Sequence, residues 1–139
     1  DYLVDMIDYD QTFEEENIYN IYGALVLKRC VCEGYAKAFK YLANQAGYEC
    51  EMLQGVGTNS SGKKENHAWN AVKLKDTWYL VDCTWDDPIV VGNGKVTNKI
   101  RYKYFLKGLN TFNKDHTLSY QFSEGGKVFT YPNLSQKDY

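Results

Sequence analysis

A thiol, an imidazole and a carboxylate occur in this sequence in positions that could bring them together. Cys32 begins a run in which apolar residues recur at steps of three and four up to Ala46, and Gly47 follows. That spacing predicts a buried helix that starts at Cys32 and ends at the glycine. The unpaired N–H groups and the positive dipole end at a helix N-terminus favour a thiolate over a thiol. Cys32 is therefore the candidate nucleophile.

A predicted β-hairpin carries the other two groups. Residues 66–74 and 77–85 are rich in Val, Tyr and Trp and are separated by Lys75 and Asp76, which predicts two strands joined by a two-residue turn. In that register Trp69 lies opposite Asp82, so His67 and Asp82 share one face as diagonal neighbours, with Cβ atoms roughly 7 to 8 Å apart. A carboxylate can orient an imidazole at that range.

Neighbouring candidates rank lower by position. Asp86 and Asp87 lie at or beyond the end of the second strand, where their direction is not defined. Strand alternation sends Cys83 to the face opposite Asp82, so we expect it to be a packing residue. Cys30 is expected to be structural, and all four cysteines to be free thiols. His116 lies in the polar stretch FNKDHTLSY and is expected in an exposed loop.

Three segments in this order resemble the motifs of bacterial transglutaminase-like domains: VCEGYAKAF at 31–39, NHAWNAV at 66–72 and WYLVDCTWDDP at 78–88. The resemblance implies a papain-like α+β fold, with the nucleophile-bearing helix packed on an antiparallel sheet. It also implies roles for the three groups. Cys32 would attack a carboxamide carbon, His67 would act as base and then as acid, Asp82 would orient the imidazole, and a thioester would form on Cys32.

An oxyanion site is the remaining requirement of such chemistry. The backbone N–H of Cys32 is one donor that the helix start would supply. Papain-like proteases use a glutamine several residues before the nucleophile, but none occurs near Val26. Tyr19, Tyr22 and Trp69 are the candidates for the second donor and for the walls of the substrate cleft.

Composition limits the classes of protein and of partner. The chain has 139 residues, 44% of them hydrophobic, which predicts one domain over residues 1–139 with its motif core at 31–88. A net charge of -2 excludes the basic field that nucleic-acid binding needs, and no apolar run reaches the roughly 20 residues of a membrane helix. The partner expected is a peptide or protein substrate. Because the chain opens on Asp1 without a Met, we expect a piece of a longer protein. The sequence does not define its compartment, and secretion or display on a bacterial cell surface is compatible with it.

Further elements are predicted with less pattern to support them. Residues 1–9 suggest a helix end, residues 14–16 a solvated acidic loop and residues 49–57 a strand. Residues 58–65 are rich in turn formers, residues 89–98 form an excursion rich in Gly and Asn, and residues 102–106 and 127–132 suggest two short strands.

Alternative functions follow from the same residues. A zinc site is disfavoured because no CxxC pair occurs and strand parity separates Cys83 from His67, and no calcium loop is evident, so we expect neither metal nor cofactor. The leading expectation is a peptidase or hydrolase. An acyltransferase that crosslinks or deamidates protein glutamine is the first alternative, and a non-catalytic interaction or cell-surface module that retains the triad is the second.

Overall fold

One long helix packed on a four-stranded antiparallel sheet forms the centre of the molecule. The computed structural model describes residues 2–87, 101–119, 122–124, 127–129 and 132–139. The elements, in chain order, are α1 (Tyr2–Met6), β1 (Asp8–Tyr9), a 3₁₀ turn (Glu16–Tyr19), a π-helical segment (Gly23–Leu27), β2 (Arg29–Cys30), α2 (Cys32–Gln45), β3 (Cys50–Thr58), β4 (Lys64–Leu74), β5 (Thr77–Val81), α3 (Leu109–Phe112), β6 (His116–Leu118), β7 (Phe122–Glu124) and β8 (Lys127–Phe129).

Helix α2 forms where the apolar periodicity predicts it. It begins at Cys32, and its buried face consists of small residues and one aromatic ring, Gly34, Tyr35, Ala36 and Ala38. Gly47, with φ of +87°, follows the last turn in the left-handed conformation that glycine adopts without steric cost. The predicted helix and its glycine stop are confirmed.

The central sheet has the strand order β5-β4-β3-β6. Strands β4 and β5 pair antiparallel with Leu74 opposite Thr77 and Asn70 opposite Val81, which is the register predicted from the sequence. Lys75 and Asp76 both have positive φ, 47° and 64°, as a two-residue turn between twisted strands requires. The hairpin that carries His67 is therefore confirmed in its turn and in its register.

Strand β5 is shorter than predicted. It ends at Val81, and residues 82–86 form a turn in which the N–H of Asp86 donates to the carbonyl of Asp82 at 3.0 Å. The Asp82 side chain also accepts from the N–H of Trp85, so a local side-chain hydrogen bond replaces the ladder. This turn, rather than a strand, holds the candidate carboxylate.

The C-terminal predictions were partly wrong. Residues 102–106 form turns and bends, and Lys107 then forms an isolated bridge with Leu80 of β5. Part of the predicted strand at 127–132 exists as β8, paired antiparallel with β7. The N-terminal helix ends at Met6, before the short strand β1. The excursion at 89–98 lies outside the described residues.

Both faces of the sheet are buried. One face packs on α2 through a cluster that includes Tyr35, Val72 and Val81, and the other packs on α3 through a cluster that includes Trp69 and Phe112. A strand that is covered on both faces is buried at successive positions, as β4 is from His67 to Val72. None of the helices in the described part of the chain is long and apolar enough to cross a membrane.

A Gly34→Ala substitution tests how closely the nucleophile-bearing helix packs on the preceding chain. A Cβ at this position would lie 2.5 Å from Cys30 Cβ and 2.7 Å from the carbonyl oxygen of Ile18. We expect the free energy of unfolding to fall by about 1–3 kcal/mol through overpacking, measured by urea denaturation. The control is Gly47→Ala, which meets no atom within 4 Å and reports backbone strain alone. Stabilisation by Gly34→Ala, as helix propensity alone would give, would contradict the packing.

Candidate active site

Cys32 occupies the first position of α2 and is partly exposed. The N-cap residue, Val31, makes no side-chain cap hydrogen bond, so no cap side chain covers the N–H groups of the first turn. The carbonyl of Ile18 accepts from the N–H of Val31 at 3.0 Å and ties the helix start to the 3₁₀ turn. The thiol thus lies at an uncapped helix N-terminus, where the backbone favours negative charge.

The imidazole of His67 projects from β4 at a position opposite Gly55 of β3. Its Nε2 lies 2.6 Å from Oδ2 of Asp82, and the residue is 8% exposed. Since a carboxylate only accepts, Nε2 carries the proton in this contact. The sequence prediction that His67 and Asp82 meet on one face is confirmed as geometry.

Asp82 is fully buried, at 0% exposure, and accepts three hydrogen bonds. Oδ2 accepts from His67 Nε2 at 2.6 Å and from His116 Nε2 at 3.0 Å, and Oδ1 accepts from the N–H of Trp85 at 3.1 Å. Burial on its own would favour the neutral acid. The two histidines, by charge and by hydrogen bonding, outweigh it and hold the pKa of Asp82 well below its ordinary value.

The charge of Asp82 acts in the opposite direction on His67. Burial, the largest single influence, lowers the pKa of the imidazole, but the nearby carboxylate more than offsets it, and a hydrogen bond with Cys32 adds to the effect. Together these raise the pKa of His67 to about 10. Because Nε2 is engaged by Asp82, Nδ1 is the nitrogen left for the sulfur. Cys32, His67 and Asp82 therefore form one connected series of contacts.

Trp85 covers this series. Its ring stacks on His67 with centroids 5.0 Å apart and planes 27° apart, and it lies 4.4 Å from the ring of His116. Gly57 makes this possible, because a Cβ there would lie 2.8 Å from the Trp85 ring. An aromatic cover keeps water from the imidazole–carboxylate bond and strengthens it.

His116 is the functional candidate that the sequence prediction missed. The expectation of an exposed loop was wrong: His116 is 2% exposed, begins β6 and lies opposite Gly57 of β3. The polar residues around it in the sequence suggested exposure, but the residues that bury it come from distant segments of the chain. The signals that point to it are the alternation of His116 with Leu118 and the two glycines at 55 and 57, which allow a neighbouring strand to approach closely.

The rival carboxylates face elsewhere. Oδ1 of Asp86 accepts from the N–H of Tyr104 at 2.7 Å, and Oδ2 of Asp87 accepts from the hydroxyl of Tyr35 at 2.5 Å. Neither has a described contact with His67. Asp82 is the carboxylate that the structure places against the imidazole.

The other three cysteines are buried free thiols. Burial is the main cause that raises the pKa of Cys30 and of Cys50 to about 12 each, and it likewise raises that of Cys83 well above its ordinary value. A buried thiol in apolar surroundings is unreactive. Cys32 is the partly exposed exception.

The three candidates for the second oxyanion donor differ in exposure. Tyr19 and Tyr22 are 46% and 51% exposed, and Tyr19 follows the residue whose carbonyl contacts the helix start. Trp69 is 1% exposed, and its buried indole Nε1 has no described hydrogen-bond partner. Trp69 therefore packs in the core rather than lining an open cleft, a position that differs from our expectation.

Tyr9 is a further residue beside the thiol that sequence reasoning did not single out. Burial is the main cause that raises its pKa to about 12, and the charges of Cys32 and Glu65 add to the effect. Its hydroxyl therefore stays protonated and remains a hydrogen-bond donor. The sequence gives no sign of this, because Tyr9 is brought to this part of the molecule by the short parallel β1–β2 pair, in which it lies opposite Cys30.

A metal ion is the other ligand that His67, Asp82 and His116 could hold, because their ligand atoms lie within 4.8 Å of one another. The N···O distances of 2.6 and 3.0 Å are those of direct hydrogen bonds. Tetrahedral zinc, with bonds of about 2.0–2.1 Å, would hold its ligand atoms roughly 3.3 Å apart. The side chains do not fit an ion without moving apart, so we derive no metal chemistry for the site.

Two cavities lie away from the Cys32 sulfur. One, of about 510 Å³, opens next to Trp85 and Asp115 between the β3–β4 turn and the segment around Lys103. The other, of about 480 Å³, runs along the C-terminal half of α2 and includes Asp86 but not Cys32 or His67.

A helix-borne thiol, a sheet-borne imidazole and a carboxylate in the turn after β5 place the chain in the papain-like class of α+β folds. The family model of the transglutaminase-like superfamily core matches residues 1–83, and the chain belongs to this superfamily. The predicted family and fold class are confirmed.

Relatives with curated names share this region. The chain is 36% identical over 94 residues to the mouse Kyphoscoliosis peptidase, across 61% of this chain and 14% of that protein. The human Kyphoscoliosis peptidase is 35% identical over 97 residues, with the same coverage. Hillarin of Drosophila melanogaster is 28% identical over 88 residues, which cover 52% of this chain and 11% of that protein. The chain thus spans a small part of the length of these relatives.

A solved structure shows the same fold. A Cytophaga hutchinsonii protein proposed to be a cysteine protease superposes with a TM-score of 0.51 at 14% identity, covering 60% of this chain and 28% of that one. A TGase crystal structure superposes with a TM-score of 0.46 at 20% identity, covering 58% of this chain and 23% of that one. At these identities the likeness concerns the fold alone.

An Asp86→Asn substitution tests the buried carboxyl below the site. Burial raises the pKa of Asp86 to about 7, and the charge of Asp82 adds to this although the Tyr104 N–H opposes it. The folded-state pKa lies above the unfolded value near 4, so the stabilising contribution is complete below pH 4 and is lost as pH rises through about 7.

We therefore expect wild type to lose stability relative to Asp86→Asn between about pH 5 and 8, on the order of 2 kcal/mol, measured by urea unfolding. The asparagine keeps the acceptor for the Tyr104 N–H. Asp76→Asn, at a side chain that is 99% exposed, is the control and should show no such pH dependence. A pH-independent difference between wild type and Asp86→Asn would contradict the shift.

Proposed function

We propose that this domain is a cysteine-dependent enzyme of amide bonds that forms a thioester on Cys32 and releases it to water, acting on a peptide or protein substrate. One observation carries the proposal. A buried imidazole is hydrogen-bonded to a carboxylate at 2.6 Å through Nε2, and Cys32 is among the groups that raise its pKa. Nucleophile, base and orienting group in this series are the arrangement that thiol acyl transfer needs.

The proposed first half-reaction begins from an imidazolium–thiolate pair. A pKa of about 10 keeps His67 protonated near neutral pH, so its Nδ1–H can donate to the sulfur of Cys32. The sulfur attacks the carbonyl carbon, and the carbonyl electron pair moves onto oxygen. When the tetrahedral intermediate collapses, the C–N bond breaks, the imidazolium gives its proton to the leaving amine, and a thioester remains on Cys32.

The proposed second half-reaction uses His67 as a base. The neutral imidazole left by the first step removes a proton from water, and the hydroxyl oxygen attacks the thioester carbon. The C–S bond then breaks, which restores the thiolate and releases the carboxylate product. Asp82 holds the Nε2–H tautomer throughout, so Nδ1 stays directed at the reacting atoms.

Stabilisation of the oxyanion is proposed to come from the start of α2. The backbone N–H of Cys32 is the first donor, and the absence of a cap side chain on Val31 supports this role. The protonated Tyr9 hydroxyl, with its electrostatic coupling to Cys32, is a candidate for the second donor. Tyr19 and Tyr22 remain predictions for the same role.

Two observations support hydrolysis over transfer to an amine. Cys32 is partly exposed, so water can reach a thioester at this position. The matching proteins from mouse and human are named as peptidases. Acyl transfer to an amine and a non-catalytic binding role are the outcomes that the following experiments separate from hydrolysis.

The reaction is tested with a peptide library in the presence of a primary amine, analysed by mass spectrometry. We expect cleaved or deamidated peptides for wild type and none for Cys32→Ala. Asp82→Asn is expected to lower the rate on the order of 10²–10⁴-fold, because an amide in place of the carboxylate no longer fixes the tautomer. Peptide–amine adducts as the main product would show transfer instead, and no product at all would exclude the enzyme proposal for these substrates.

Activation of the thiol is tested separately by the rate of iodoacetamide labelling. We expect Cys32 to react near neutral pH roughly 10-fold or more faster in wild type than in His67→Gln, since the imidazolium partner favours the thiolate. Peptide mapping distinguishes Cys32 from the three buried cysteines. Because the same cysteine is compared in wild type and in His67→Gln, differences in accessibility between cysteines do not affect the result. Equal rates in both proteins would favour the binding-module alternative.

A further inference from the structure

The contacts of Asp82 extend beyond the three residues of the proposed mechanism. Oδ2, the atom that accepts from His67, also accepts from Nε2 of His116 at 3.0 Å. On the other side of the His116 ring, Nδ1 lies 2.7 Å from Oδ1 of Asp115. The hydroxyl of Tyr104 in turn donates to Oδ2 of Asp115 at 2.6 Å. A line of hydrogen bonds thus runs from His67 through Asp82 and His116 to a second carboxylate.

The direction of these bonds follows from the groups present. A carboxylate accepts only, and a neutral imidazole has a single N–H. His116 faces a carboxylate oxygen with each of its two nitrogens, and the nitrogen that faces the ionised Asp82 meets it as an Nε2–H donor. Donors on both sides of Oδ2 offset the cost of placing the Asp82 charge in a dry interior.

Every element around His116 keeps it in this orientation. Aromatic rings surround it, with Phe112 of α3 at 4.1 Å, Trp85 at 4.4 Å, Trp69 of β4 at 5.0 Å and Tyr104 at 5.3 Å between centroids. The titratable and charged groups that face it or its partners are Asp82, His67, Asp115, Tyr104 and Lys103, whose Nζ lies 3.9 Å from Asp115. Packing of this density leaves the ring few alternative rotamers.

We propose that His116 is a positioning residue for the reaction, which holds the Asp82 carboxylate in place and ionised through Nε2–H, with Asp115 fixing the His116 ring from behind. The inference rests on the proposed function and deepens it. It gives the site five members, Cys32, His67, Asp82, His116 and Asp115. His116 does not touch substrate and acts through Asp82.

The physical effect is exerted on the lone pairs of one oxygen. Asp82 directs one lone pair of Oδ2 to His67 and another to His116, and Oδ1 is held by the Trp85 N–H. Removal of the His116 donor leaves a buried carboxylate with one acceptor site unmatched. The carboxylate can then rotate or take up a proton, and either event releases the Nε2–H tautomer of His67.

Two substitutions at the same site distinguish positioning from packing. The amide nitrogen of His116→Gln replaces Nε2 and can still donate to Asp82, whereas that of His116→Asn replaces Nδ1 and reaches only toward Asp115. We expect kcat on the cleaved peptide to fall on the order of 10-fold or less for Gln and 10²-fold or more for Asn, with KM changed much less, since buried hydrogen bonds to charged groups are worth a few kcal/mol. Thermal unfolding checks that both variants fold.

The pH profile gives a readout that packing alone would not move. His116 is one of the groups that keep Asp82 ionised, so its loss raises the pH at which the carboxylate becomes protonated. We expect the acidic limb of kcat/KM to shift to higher pH in His116→Asn, with a smaller shift in His116→Gln. Equal losses in the two variants with an unshifted acidic limb would overturn the proposal and leave His116 a packing residue.

Nuclear magnetic resonance of the wild-type protein separates this inference from the proposed function. The chain has two histidines, so the ring ¹⁵N signals fall into two sets, which His116→Gln assigns. We expect Nε2 of His116 to carry a proton that is protected from exchange, as its contact with Asp82 requires. An Nε2 without a proton would overturn the proposal even if the enzyme is active. A protonated Nε2 in a protein that forms no thioester would refute the proposed function and leave the hydrogen-bonded line intact.

Discussion

The burial of the Asp82 carboxylate is the constraint on which the arrangement of this domain depends. A charge without solvent contact is expensive unless donors surround it, and here they come from three parts of the chain. His67 reaches it from β4, His116 from β6 and the Trp85 N–H from its own turn. Each donor has a definite strand register or turn geometry. The pairing of the strands therefore also determines whether the Asp82 carboxylate is ionised.

The parts of the site that the sequence predicts are those joined by local rules. A two-residue turn at Lys75 and Asp76 fixes the register of the hairpin, and the register alone determines that His67 and Asp82 share a face. An apolar helical stripe that begins at Cys32 and stops at glycine fixes the place of the thiol. The hairpin turn and the apolar face of the helix can both be predicted from short stretches of sequence, because their physical causes act between residues close in the chain.

His116 could not be found in the same way, because its burial is decided by distant partners. It pairs with Gly57 and packs among rings from α3, β4 and the turn after β5. Its polar neighbours in the sequence, such as Lys114 and Asp115, wrongly indicate an exposed loop. The same reason explains the strand that did not form at 102–106, where the side chain of Tyr104 packs in the core without a ladder. Tertiary packing overrides local preference at both places.

The four cysteines show how one fold assigns different chemistry to one side chain. Cys30 lies two residues before Cys32, yet it is fully buried against the N-terminal part of the domain, and Cys83 lies next to Asp82 but faces the helix side of the sheet. Exposure and the helix terminus, rather than residue type, single out Cys32. Selectivity among thiols follows from strand parity and from the start of one helix.

The pairing of β6 with β3 has a consequence for how the domain acquires its site. The match to the family model ends at residue 83, but the His116 donor reaches Asp82 only when residues 116–118 pair with residues 55–57. Contacts between segments so far apart in the chain form slowly, because the loop between them must first close. A nascent or partly opened domain can thus contain the helix with Cys32 and the hairpin with His67 while the Asp82 carboxylate is still exposed to water. Maturation of the site would follow closure of the sheet edge rather than formation of the motif-bearing segments.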